Sequence, residues 1–516
     1  MTKPTDEPGL HPDVSWCGVL EHHAQRTPDK PLAVHGDRVV TYADMQTWSA
    51  DVAGGLAARG VSNGDVVALL SYNNVEFLAT IFAANHLGAI AMPINWRLAA
   101  PELRFILEHS GARALVCGAE LVELADAATH DLDTELARIR VGDASVAGWD
   151  RFADLHAAGD PPARVPAAAD DLHRLMYTSG TTGRPKGVML THANLAWKNF
   201  AHVTEFGFTA DDVGLACGPL YHVGALDLVT TTMMAVGATT MVHTTFDAEQ
   251  VVDEIERSRV TTIWAAPAMV RAVLDVPGIE SRDLSSVRVI IAGGEKMPIP
   301  TIERIRSTFP SAWFADAYGL TETVSGDTFL DRDHTVSKLG SVGRPCQYLE
   351  LEIWDDDGAP VPAGERGEVV LRGPKVFAGY WRDPDATAAA FQGGWFHTGD
   401  IGVLDDDGFL SIVDRLKDMI VSGGENIASS EVERVLYEHD AVVEAAVVGR
   451  PDERWGEVPV AFVAVDDTTT VSGDELVEHC REQLARFKVP KDVVFVDALP
   501  RNPSGKVLKR ELRDRL

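Results

Sequence analysis

The run Tyr177-Thr178-Ser179-Gly180-Thr181-Thr182-Gly183-Arg184-Pro185-Lys186-Gly187 concentrates hydroxyls, glycines and a closing lysine in one loop, directly after Leu175-Met176. Such a set can hold a polyphosphate. Glycines let backbone N–H groups turn toward an anion, hydroxyls donate hydrogen bonds, and the lysine adds charge. It is not a Walker loop, because no Gly-Lys-[Ser/Thr] triplet stands at the required spacing. A flexible surface turn is the plain alternative, but ordinary turns do not carry this density of donors with an Arg-Pro-Lys tail.

Further polar motifs follow in order: Tyr318-Gly319-Leu320-Thr321-Glu322, His397-Thr398-Gly399-Asp400, Asp414-Arg415-Leu416-Lys417-Asp418, Ser422-Gly423-Gly424-Glu425-Asn426 and Pro500-Arg501-Asn502-Pro503-Ser504-Gly505-Lys506. With the loop, they resemble the adenylate-forming superfamily of acyl-CoA synthetases, peptide-synthetase adenylation domains and beetle luciferases. The resemblance runs from about Val40-Thr41-Tyr42 to Lys506.

The resemblance implies a chemistry. A carboxylate is a poor electrophile, and attaching AMP to it creates a leaving group. That requires ATP held by its phosphates, Mg²⁺ to spread the developing charge, and a cation near the α-phosphate. By resemblance, Thr178, Ser179, Gly180, Thr181, Thr182, Gly183 and Lys186 cradle the phosphates, Tyr318 stacks on adenine beside Asp316 and Ala317, Thr321 contacts phosphate, and Glu322 binds Mg²⁺. Asp400 accepts from the ribose hydroxyls, a task suited to an acceptor-only group, and Arg415 reaches ribose or phosphate. Gly293-Gly294-Glu295-Lys296 follows a strand end, where open α/β sheets place ligands. Gly294 and Glu295 fall at the adenine edge, although relatives often carry Ala or Pro where Glu295 and Lys296 stand. Lys506 steadies the carboxylate and α-phosphate. Lys417 is the hinge of a mobile lid, and Ser422, Gly423, Gly424 and Glu425 let the CoA arm pass close to the backbone. Taken alone, most of these would be ordinary features: a helix-start carboxylate for Glu322, solvated charges for Arg415 and Lys506.

Pro219-Leu220-Tyr221-His222-Val223-Gly224-Ala225-Leu226 resembles the segment lining the acyl pocket, with His222 as its gate. A satisfied core histidine is the plain reading of His222 alone. Val223 stands where amino-acid-activating domains place an aspartate, and an apolar residue there would leave an ammonium unpaired at a cost of several kcal/mol. The small residues Val223, Gly224, Ala225, Gly294, Gly319, Val324 and Ser325, with Leu226 and Gly293 also assigned to the acyl pocket, predict a roomy apolar pocket for a fatty, aromatic or polycyclic acid. The expected activity is an ATP-dependent acid:CoA ligase, with Lys506, Glu322, Thr321 and His222 catalytic and Mg²⁺, ATP and coenzyme A as cofactors. A stand-alone enzyme loading an acyl carrier protein is the alternative. A light-emitting oxygenase and a silent nucleotide-binding scaffold rank lower.

These residues need elements to position them. Val66–Leu70, 89–92, 114–116, 262–265 and 287–291 read as buried strands, and 75–87 and 248–257 as helices. Alternation of this kind predicts an α/β fold with parallel-rich sheets covered by helices. From about residue 414 the pattern restarts, with strands at 442–448, 459–465 and 493–496 and a helix over 474–484. The expected division is a tail over 1–14, a nucleotide- and acyl-binding part over 15–414, and a small α/β lid over 415–516.

The chain has 516 residues, 46 basic and 77 acidic side chains, and a formal charge of −31. That disfavours nucleic acid and anionic membranes as partners, so polyanionic ligands must be met by local positive groups. Cys17, Cys117, Cys217, Cys346 and Cys480 follow no pairing pattern, which fits a reducing cytosol. No signal peptide is read at the start, and the apolar stretch from Phe77 to Ile94 is broken by Asn85, His86, Gly88 and Pro93, so no integral membrane segment is expected. A homodimer is compatible with the sequence. Asp355-Asp356-Asp357-Gly358 and Asp405-Asp406-Asp407-Gly408 resemble calcium loops but lack the closing Glu, and are expected to be acidic turns.

Overall fold

The structure, a computed structural model, describes residues 13–516 apart from 131, 133–134, 157–160, 179–184, 294–296, 416–417, 423–424, 453–454, 467–470, 485, 487 and 502–505. Two large sheets dominate. One has nine strands, in the order Arg344–Pro345, Thr328–Phe329, Trp313–Tyr318, Val289–Gly293, Thr262–Ala265, Val213–Ala216, Thr239–Val242, Pro31–His35, Arg38–Thr41. Its middle is parallel and antiparallel pairs close both edges. The second has eight strands, and Ile90–Pro93, Val66–Leu70 and Ala112–Cys117 form its parallel centre.

Strand periodicity explains the layering. In Val66–Leu70, Val67 and Leu69 join the core shared by both sheets, whereas Val66, Ala68 and Leu70 join a second core on the outer face. Both faces are buried, so the strand reads as a continuous apolar run. Helix Val75–His86 lies in the shared core and is buried almost all round, as expected of a helix apolar on every side. Asn74 caps it by accepting the N–H of Phe77 at 2.7 Å. Helices Ala248–Ser258, Pro267–Leu274 and Ile299–Thr308 cover the outer face of the nine-stranded sheet. Among the described residues no helix is long and apolar enough to cross a membrane, and all five cysteines are buried and free.

A third, antiparallel sheet joins Glu350–Trp354, Arg366–Arg372, Phe391–Gln392, Trp395–Leu404 and Leu410–Arg415. The sequence analysis assigned no strands there. Both acidic runs are turns of the same design: Asp355 Oδ1 accepts the N–H groups of Asp357 and Ala359, and Asp405 Oδ1 those of Asp407 and Phe409. A fourth sheet begins at Ile420 and has its own apolar cores. The strand expected at 287–291 lies at Val289–Gly293, two residues later, because Leu284 and Val287 close a turn before it.

Candidate active site

Three neighbouring parallel strands, Thr262–Ala265, Val289–Gly293 and Trp313–Tyr318, end on one side of the nine-stranded sheet. Their carboxyl ends deliver Trp264, Gly293, Ala317 and Tyr318 to a cavity of about 50 Å³, the place where open α/β sheets bind ligands. His222, Val223, Gly224 and Leu228 form one wall. Gly319, Leu320, Thr321 and Ser325 form another, and Lys506 enters from the C-terminal part. A larger groove of about 510 Å³, near Glu205, Asp331 and Arg344, contains none of the residues assigned from sequence to nucleotide, acyl group or CoA.

The second wall is a strained turn. Val324, Ser325 and Gly326 all have positive φ, at 56°, 62° and 65°, a conformation that costs non-glycine residues about 1–2 kcal/mol each. The compensation is a buried lysine that no sequence motif singles out. Lys375, 1% exposed, donates to the carbonyls of Ser325 and Gly326 at 2.9 and 2.6 Å and pairs with Asp327 at 2.9 Å. Thr323 Oγ1 donates to the other oxygen of Asp327 at 2.5 Å. The turn folds back so tightly that a Cβ on Gly319 would lie 2.3 Å from the Gly326 nitrogen. Thr321 and Glu322 are thereby held at the head of the turn, in the short 3₁₀ helix Thr321–Thr323.

Tyr318 Oη donates to Asp400 Oδ2 at 2.7 Å. Burial, then the Asp400 charge, pushes the Tyr318 phenol well above its ordinary range, so it remains a donor. Asp400 is also the cross-strand neighbour of Arg415. Glu322 accepts from Tyr380 Oη at 3.0 Å, and the Lys186 ammonium lies 4.8 Å from the centre of the Tyr380 ring. Burial raises the Glu322 carboxyl; the Tyr380 hydroxyl and the Lys506 charge oppose that rise, and Asp400 adds to it. Tyr380 was missed in the sequence, although the aromatic run Phe377-Ala378-Gly379-Tyr380-Trp381 could have flagged it. Thr178 and Lys186 pair across an antiparallel ladder, so these two ends of the hydroxyl-rich loop stand side by side.

His222 Nδ1 accepts the N–H of Gly224 at 3.1 Å, which puts the proton on Nε2. Burial, assisted by the Lys506 charge, pushes the imidazole down to about 4. Its ring stacks on Trp264, centroids 5.7 Å apart. Trp264 corrects the expectation of a roomy pocket. A Cβ on Gly224 would lie 2.4 Å from the indole, so the space left by this glycine is filled by a side chain from strand Thr262–Ala265. Leu226 and Val324 do not line the cavity; both are buried in the shared core. On the π-helical segment Gly224–Thr231 it is Leu228 that faces the cavity.

Other expectations fall elsewhere. Asp316 is buried in its strand and is not part of the cavity wall. Ser422 lies in the fourth sheet, paired with Glu425 and Gly456, not at the cavity. Ser179, Gly180, Thr181, Thr182, Gly183, Gly294, Glu295, Lys417, Gly423 and Gly424 lie outside the described residues, as do the side chains of Arg415 and Glu425.

Comparison with known proteins agrees with this arrangement. A family profile described as AMP-binding enzyme matches residues 20–381, and one described as AMP-binding enzyme C-terminal domain matches residues 431–506. The chain is 42% identical over 492 residues to a feruloyl-CoA synthase of an Amycolatopsis species, covering 95% of this chain and 97% of that one. It is 40% identical over 480 residues to a long-chain-fatty-acid–CoA ligase of Mycobacterium tuberculosis, covering 92% and 93%. The structure of o-succinylbenzoate coenzyme A synthetase from Bacillus subtilis, solved with ATP and a magnesium ion, superimposes with a TM-score of 0.87 at 34% identity, covering 96% and 99%. The chain therefore belongs to the AMP-binding enzyme family, among its two-step acyl- and aryl-CoA ligases, which draw on ATP, Mg²⁺ and coenzyme A.

Proposed function

We propose that this enzyme adenylates a compact, flat carboxylic acid, of which an aryl acid is the leading example, and then transfers the acyl group to coenzyme A. One observation carries the choice of acid: the Trp264 indole packs on Gly224 and stacks on His222 in the wall of the cavity that Lys506 enters. A flat ring can slide against the indole and imidazole faces, whereas a long alkyl chain would have to displace Trp264. The feruloyl-CoA synthase and the o-succinylbenzoate synthetase, both named for acids that carry a ring, support the same reading.

In the first half-reaction, carboxylate and ATP give acyl-AMP and pyrophosphate. Lys506 stands at the cavity and supplies positive charge where carboxylate and α-phosphate meet. Tyr318 and Asp400 offer a ring face and an acceptor to the nucleoside, and Lys186 with the loop it closes meets the phosphates. The hydroxyl of Thr321 and the carboxylate of Glu322 are hard oxygen donors of the kind Mg²⁺ takes alongside phosphate and water; when bound, the ion spreads the negative charge of the phosphates. Neutral His222 forms one side of the acyl pocket and adds no charge beside the substrate. In the second half-reaction the CoA thiol displaces AMP. Ser422 lies away from the cavity, and we propose that the part from 415 onward turns about Lys417 to bring the 422–425 hairpin to the site.

The long-chain ligase among the relatives favours a second reading, a fatty acid. CoA-dependent AMP formation across ferulic acid, benzoic acids and palmitic acid decides between them. Turnover with the ring-bearing acids supports the proposal, and preference for palmitic acid overturns it. Pyrophosphate release without use of CoA would assign the acceptor role to a carrier protein.

A further inference from the structure

One contact between the C-terminal part and a helix on the nine-stranded sheet centres on Glu444. Arg271 lies on helix Pro267–Leu274, which follows the strand that carries Trp264. Its Nη1 donates to the carbonyl of Val443 at 2.9 Å, and its Nη2 lies 3.5 Å from Glu444 Oε1. The same Glu444 oxygen accepts from Arg501 Nη2 at 2.6 Å, and Oε2 accepts the N–H of Leu499 at 3.3 Å. Arg501 in turn forms an antiparallel bridge with Val507, closing the loop that ends in Lys506. Contacts thus pass from the wall of the cavity through Arg271, Glu444 and Arg501 to the residue that reaches into it.

We propose that Arg271 and Glu444 form a latch that holds Lys506 in the cavity, which makes Arg271 a positioning residue for adenylation. The inference rests on the reading of Lys506 as the adenylating lysine. Two features favour a latch over an incidental surface pair. First, the three side chains are partly buried, with exposures of 26%, 15% and 22% for Arg271, Glu444 and Arg501. Burial alone would raise the Glu444 carboxyl, yet the Arg501 hydrogen bond and charge, the Leu499 N–H and Arg271 hold it below its ordinary value, so the pair stays charged at neutral pH. Second, the contacts are divided by location. Glu444, Leu499 and Arg501 all belong to the C-terminal part, and their bonds would survive its rotation as a body. The two Arg271 contacts cross to the large part and must break, so the free energy of the rotated arrangement is set partly at this one side chain.

The test compares the half-reactions in the full-length protein, with ferulic acid as the acid probe. Adenylation is read as single-turnover pyrophosphate release, and thioester formation as CoA consumption from synthetic feruloyl-AMP. Arg271→Ala should slow adenylation about three- to tenfold, the range expected for losing a partly buried charged contact, while thioester formation stays equal or becomes faster. Arg271→Lys, which keeps the charge and a donor, should restore most of the adenylation rate. Equal losses in both half-reactions, or unchanged adenylation, overturn the latch. If Arg271→Ala fails to fold, Arg271→Gln carries the same comparison. Lys506→Ala separates the two claims. If it loses both half-reactions alike, the reading of the lysine fails. If it loses adenylation alone while the Arg271 variants change nothing, only the latch fails.

Discussion

The cavity has two unlike walls. On the proposed nucleotide side, Tyr318 and Thr321 in the wall, with Glu322 and Asp400 beyond it, present polar groups, each held by a named partner or by the strained turn. On the proposed acyl side, His222, Val223, Gly224 and Trp264 present faces and shape, and a hydrogen bond from the Gly224 N–H to Nδ1 orients the His222 ring. The difference teaches where each kind of specificity comes from. Polar geometry needs fixed donors and acceptors, which chemistry restricts to a few residue types. Shape needs only volume, and any strand that can reach may supply it.

The strongest way to break the comparison is to remove the support of the polar wall. Lys375→Met leaves Asp327 buried with a single hydroxyl donor and the turn carbonyls uncapped. It should cost about 3–5 kcal/mol of stability, the usual cost of breaking a buried pair, and urea unfolding would measure it. Next comes the shared cation. Lys506→Ala should lower adenylation by about 10²–10³-fold, as for the loss of one group that meets developing charge, and spare thioester formation from supplied acyl-AMP. The apolar wall should respond differently. Gly224→Ala places a Cβ against the indole and should destabilise by about 1–3 kcal/mol through overpacking. Trp264→Gly should leave ATP binding unchanged while widening the range of acids accepted.

The smallest effect concerns His222. An exposed histidine titrates near ~6.5, and this one is pushed down to about 4. Between those values the unfolded chain binds the proton and the folded chain does not. The contribution of neutral His222 to stability is therefore fully present above about pH 6.5 and is lost as pH falls toward 4. NMR titration of the His222 ring should show a neutral Nε2–H form at pH 6. A midpoint near 6.5 would remove Lys506 and burial from the account of this wall.

The same contrast explains what could be read from sequence. Tyr318, Thr321 and Lys506 could be picked out by residue type and motif order, and the structure gathers the three at one cavity, with Asp400 bonded to Tyr318. The parallel strands were legible because burial on both faces leaves uninterrupted apolar runs, as in Val66–Leu70. Trp264 was not legible as a pocket residue: in sequence it is one more apolar residue in a strand, and only the approach of Gly224, 40 positions earlier, gives it a role. Lys375 was not legible, because nothing local marks a lysine whose partners are the carbonyls of a left-handed turn about 50 residues away. The antiparallel sheet over 350–415 was missed because its strands are half-exposed, and one is just two residues long.

The central claim is that Trp264 sets the size of the acid. The most direct measurement is kcat/KM for ferulic and palmitic acids, in CoA-dependent AMP formation, with the wild-type enzyme and with Trp264→Gly. The account predicts that the wild type prefers ferulic acid and that the variant gains activity on palmitic acid. A wild type that prefers palmitic acid, or a variant whose preference does not move, would contradict it.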